Sequence, residues 1–151
     1  MINAQTKRER MAVLHSLRDQ LLSQRDKFEE YLIVLEQQEA AIAEGDAELL
    51  GRYVEMETRI IGDIEATQRV VAPLSAVYRE VTSEPDPEIV DLTETLGSLH
   101  REATKRNLRN QKLLQGGIES LRQEIEAVHQ PQRAYNVYST RDTATVLDIS
   151  T

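Results

Sequence analysis

The residues whose chemistry could matter most are few. Glu126 and His129 form an E-x-x-H pair, one helical turn apart. Carboxylate-bridged di-iron bundles need two such pairs and two further glutamates on facing helices. Neither His15 nor His100 follows a Glu three residues earlier, so half of that donor set is missing and no metal is expected. The three histidines are scattered over surface-like helical positions, which offers no Ser-His-Asp arrangement. The chain has no cysteine, which removes thiolate catalysis and disulfides and is in keeping with a cytoplasmic protein. Carboxylates are plentiful, but on amphipathic helices they form a solvated face. The sequence is therefore expected to hold no catalytic site and to need no cofactor.

Other polar groups sit where binding chemistry is conceivable. Ala103, Asn107, Asn110 and Leu114 fall at helical spacing, which places two asparagines on an apolar stripe. They could form a buried polar layer that sets helix register. They could also hydrogen-bond an incoming helix. Around them stand Arg101, Lys105, Arg106, Arg109 and Lys112. A nucleic-acid patch is one reading. A net charge of −8 argues against it, and residues 29–65 hold eleven acids against Arg52 and Arg59. Charge pairing inside the chain explains the cluster better, with Lys105 expected near Asp63 and Glu65 if the third helix folds back along the second.

These groups need elements to position them. The 151 residues are enough for one domain. Six aromatics and no Trp make a thick core hard to build, while abundant Ala, Leu, Glu, Gln and Arg favour long helices. In the first segment Leu14, Leu21, Phe28, Leu35 and Ile42 recur every seven residues. Leu17 and Tyr31 fill intervening core positions, and Gln24 and Gln38 leave them polar. Gly45 supplies a stop and Asp46 a cap for an antiparallel second helix. There Tyr53, Ile60, Leu74 and Val81 form one series, interrupted by Thr67. Leu50, Ile64, Val71 and Tyr78 form the other, interrupted by Glu57. The phase survives Pro73, which predicts a kink and not an end.

Thr82 to Glu88 carries Pro85 and Pro87 and is the real break, with Asp86 as the next cap and Pro87 in the first helical position. The third helix opens with Ile89, Leu92, Leu96, Leu99 and Ala103. It becomes apolar again with Leu114, Ile118, Leu121, Ile125 and Val128. From Leu99 to Leu121 is two eleven-residue steps, which keeps both stripes within about 40° on a straight helix. Gly116 and Gly117 interrupt it, as a site of close helix approach, a weak point, or a hinge. Pro131 is expected to end it.

The expected fold is all-α: an elongated antiparallel three-helix bundle or coiled-coil hairpin with helices over about 4–44, 46–82 and 87–129. Residues 1–131 form one domain and residues 132–151 an irregular, flexible tail that includes Tyr135 and Tyr138. That tail could also order on a receptor. The longest strong apolar run, Tyr31 to Leu35, is far below the roughly 20 residues of a membrane span, and the N-terminus has no signal-peptide core. Stable membrane insertion is not expected.

Three features together resemble the FlgN family of flagellar export chaperones. One is the long first helix running into "EQQEAAIAEGDAELLGRYVEMETRII", with Gly45-Asp46 at the family's hairpin turn. Another is "RNLRNQKLL", Arg106 to Leu114, similar to the family's Asn-x-x-Asn segment. The third is the tyrosine-containing tail. The resemblance implies a cytoplasmic, non-enzymatic chaperone of flagellar type III protein export. Such a chaperone binds the helical C-terminal ends of hook-associated junction proteins, keeps them unassembled and delivers them to the export gate. By that resemblance the client-binding residues are Asn107, Asn110, Leu113, Leu114, Ile118, Leu121, Ile125 and Val128. Tyr135 or Tyr138 would contact the gate. The rival readings are a structural coiled coil or adaptor that self-associates through the same stripe, and an export chaperone for a different flagellar client.

Overall fold

The computed structural model describes the backbone of residues 4–149 and the side chains of residues 4–129. Three helices account for it: α1 (Ala4–Glu44), α2 (Ala47–Val81) and α3 (Pro87–Ile149). No strand occurs among the described residues. The chain divides into two compact units, Met1–Gln111 and Lys112–Thr151. The sequence reading places its boundary later, at 131/132. Burial explains the earlier division: among residues 4–129 Asn110 is the last buried one, and residues 111–129 are all exposed.

In the first unit the α1–α2 turn is built by local chemistry. Gly45 adopts φ of +71°, which a glycine reaches without a Cβ penalty. Its N–H donates to Ile42 O at 3.2 Å, and Asp46 N–H donates to Ala41 O at 3.0 Å, which closes the last carbonyls of α1. Asp46 then caps α2, its Oδ1 accepting from Leu49 N–H at 3.0 Å. Asp86 does the same for α3, accepting from Glu88 N–H at 2.9 Å. The Tyr78 hydroxyl holds that loop by accepting the Asp86 N–H at 2.6 Å. Helix α2 continues through Pro73.

Cross-helix contacts fix the directions. Gln24 meets Gln68, Lys27 meets Asp63, and Tyr31 meets Glu57, so α2 runs antiparallel to α1. Arg18 meets Glu88, Phe28 meets His100, and Leu35 meets Asn110, so the first part of α3 runs parallel to α1. The core contains Leu17, Leu21, Phe28, Tyr31, Leu35, Ile60, Val71, Tyr78, Ile89, Leu92, Leu96 and Ala103. Every heptad position assigned in α1 and α2 is buried or half-buried.

Two expectations change. Helix α3 runs past Pro131 to Ile149, where an irregular tail was expected over 132–151. A proline removes one backbone hydrogen bond and crowds the preceding turn, but its fixed φ is itself helical, so helix can continue on both sides. The charge pairing also differs in partner. Asp63 pairs with Lys27 at 3.4 Å, and Arg109 pairs with Glu39 of α1 at 2.9 Å. Lys105 makes no ion pair among the described residues. The basic cluster is partly neutralised inside the chain, as expected, but by Glu39 of α1, which α3 lies alongside at that level, and by Glu102 of α3 itself, which pairs with Arg106 at 3.0 Å.

Candidate partner-binding face

The residues singled out in the sequence separate into two groups. Asn110 lies in the first unit, only 4% exposed, and its Nδ2 donates to Leu35 O at 2.8 Å. This is the register-setting role: the amide is engaged with α1 and does not face a partner. Asn107 is half-buried and lines a cavity of about 220 Å³ with Phe28, Ile61, Ile64 and Ala103. Asn110 is thus engaged inside the first unit, whereas Asn107 sits at the rim of that cavity with Leu108 exposed beside it. Tyr135 and Tyr138 lie outside the residues whose side chains are described.

The second unit presents the other group. Leu113, Leu114, Ile118, Leu121, Ile125 and Val128 are between 40% and 63% exposed. Leu114, Ile118, Leu121, Ile125 and Val128 follow a four-three alternation. On a helix of 3.6 residues per turn they fall within roughly 80° of arc, a continuous apolar ridge. Leu113 stands about 100° from Leu114, on the shoulder. Arg122 and His129 border one side of the ridge; Gly117 and Glu124 border the other. Scattered surface leucines need no explanation; a contiguous exposed ridge of this kind makes these residues the candidate interaction surface. Its chemistry is dispersion and water release, with charged borders that set orientation. The Glu126–His129 pair is exposed, and among the described residues no cluster of three or more His, Asp or Glu is arranged around a metal-sized space.

The sequence reading treated Gln24, Gln38 and Glu57 as interruptions of the apolar series. The structure makes them a polar network inside the first unit. Gln24 Nε2 donates to Gln68 Oε1 at 3.0 Å. Tyr31 Oη donates to Glu57 Oε1 at 3.0 Å, and Gln38 Nε2 donates to the other Glu57 oxygen. Burial first, then the Glu57 charge and hydrogen bond, push the Tyr31 hydroxyl well above its ordinary range. The signal was present: polar residues at core heptad positions on two facing helices can satisfy one another. An open cleft of about 500 Å³ lies beside Gln24 and Gln68, bounded by Val71, Tyr78, Ile89 and Leu96.

Among the described residues the chain is an all-α protein whose third helix carries an exposed apolar ridge from Leu114 to Val128. The comparisons place it more closely. The chain matches the FlgN protein family over residues 11–145, and it belongs to that family. Membership suggests a flagellar export chaperone role. It is also 32% identical over 141 residues to an uncharacterized protein of Treponema pallidum (strain Nichols), covering 93% of this chain and 91% of that one. No solved structure matches. No helix among the described residues is long and apolar enough to cross a membrane.

Proposed function

We propose that this chain is a cytoplasmic chaperone of flagellar type III export whose clients are hook-associated junction proteins. The ridge from Leu114 to Val128, with Leu113 at its shoulder, receives an amphipathic helix from the client's C-terminal end. Covering that client helix keeps the junction protein unassembled until it reaches the export gate. The observation that carries this reading is the set of apolar side chains at heptad spacing, each about half exposed.

The magnitudes are adequate. Fully burying a leucine-sized side chain is worth about 1.5–3 kcal/mol. The five ridge side chains are already half covered by their own helix, so docking recovers roughly half of that from each. That is about 4–8 kcal/mol from this side, with a similar gain from the client's apolar face. After the costs of association and of ordering the client, a micromolar or tighter complex follows. The net charge of −8 on each copy disfavours pairing of the ridge with a second copy of the chain.

The residues after the ridge, with Tyr135 and Tyr138, serve delivery to the gate. Deleting residues 134–151 is expected to spare client capture and impair export. Loss of capture on that deletion would contradict the division of labour. The direct test of the function is pull-down with junction-protein C-terminal segments, with flagellin and filament-cap protein as controls. Junction segments should be retained and the controls washed away. Retention of flagellin or cap alone would assign a different client, and retention of none would leave a scaffold.

A further inference from the structure

Gly116 and Gly117 stand inside the ridge-bearing segment, between Leu114 and Ile118. Among the described residues a Cβ built on either meets no atom within 4 Å, and neither has positive φ, so neither local backbone geometry nor a described neighbour calls for glycine there. Gly51 and Gly62 are equally unhindered, but they belong to α2, whose apolar face is packed on α1. Residues 111–129 are all exposed, so helix there draws no support from burial. The segment continues α3 and needs no nucleus of its own, but without burial its helix rests on propensity alone, and glycine loses more chain entropy on entering a helix than any other residue.

We propose that Gly116 and Gly117 hold the 112–129 segment below full helicity in the free chain, and so limit the affinity of the ridge for the helix it receives. The second part rests on the docking reading above; the first does not. The ridge residues must share one helix face to act together. A client therefore binds only the helical fraction, and apparent affinity falls with that fraction. A carrier benefits from this, because cargo held by a fully preformed ridge would be harder to release.

Helix geometry allows a clean test. Gly116 lies roughly 160° from Leu114 and cannot touch a docked helix, whereas Gly117 lies on the border of the ridge. In the full chain, Gly116→Ala should slow amide hydrogen exchange across 112–129 by roughly 2- to 5-fold. It should tighten binding of a junction-protein C-terminal segment, measured by calorimetry, by up to a similar factor. The double variant with Gly117→Ala should reach roughly 5- to 30-fold in exchange. Unchanged exchange in both variants overturns the proposal. Slower exchange with unchanged or weaker binding for Gly116→Ala overturns the link to affinity. If the wild-type chain binds no junction segment, the docking reading fails, and the exchange measurement still decides whether the glycines limit helicity.

Discussion

Leu121 and Ile125 stand in the middle of the ridge, 56% and 46% exposed. Docking of a helix would cover what remains of each. Half of the roughly 1.5–3 kcal/mol for full burial is about 0.8–1.5 kcal/mol per side chain. Replacing both with Ala should therefore weaken capture by about 1.5–3 kcal/mol, or roughly 10- to 150-fold. Leu121→Asp with Ile125→Asp goes further, because each carboxylate would have to shed water against an apolar surface without a partner. Capture should then be lost at micromolar concentrations. The first unit should keep its fold, since neither residue is buried in the chain. The two Asp lower helicity in 112–129 by about 0.5–0.7 kcal/mol each relative to Ala. The Ala pair, which keeps helix propensity high, is the control that separates lost contact from lost helix. Calorimetry against the junction C-terminal segment reads the first quantity, and far-ultraviolet circular dichroism reads the second. If the double Asp variant binds within threefold of wild type with its helix content intact, the ridge is not the docking face.

The remaining predictions concern the first unit. Asn110→Ala removes the amide bond to Leu35 O and should lower unfolding free energy by about 1–2 kcal/mol in denaturant titration, with ridge binding unchanged. Gly45→Ala forces a side chain into left-handed backbone and should cost about 1–2 kcal/mol, whereas Gly116→Ala should be neutral or stabilising in the same titration. The pKa of Tyr31 is raised above its ordinary 10.0 on folding, so the unfolded chain releases that proton first as pH rises. Its contribution to stability is present below pH 10 and declines above it. Tyr31→Phe should flatten the alkaline loss of stability relative to wild type; identical slopes above that pH would refute the assignment.

Much of the bundle was legible because its signals are local. The heptad series from Leu14 to Ile42 marks the buried face of α1, and Gly45-Asp46 and Asp86-Pro87 mark helix ends through their own backbone and capping chemistry. The apolar ridge from Leu114 to Val128 was legible for the same reason. What periodicity cannot say is which neighbour a stripe faces. Asn110 and the ridge share one helical pattern, yet Asn110 is buried against Leu35 and Leu121 is open to solvent. Nor does spacing reveal that Gln24 would find Gln68, or that Glu57 would accept from Tyr31 and Gln38, because those pairs are 19 or more residues apart. The ion pairs failed similarly: Asp63 was expected beside Lys105, and it lies beside Lys27. Pro131 misled because a proline weakens a helix locally without forbidding it beyond.

The central claim is that the face running from Leu113 to Val128 receives a helix from another polypeptide. Hydrogen-exchange mass spectrometry on the chain, free and saturated with a junction-protein C-terminal segment, tests it most directly. Exchange should slow chiefly across 113–128, with smaller changes in α1 and α2. A stable complex that leaves 113–128 exchanging as in the free chain would place the binding surface elsewhere and contradict the account.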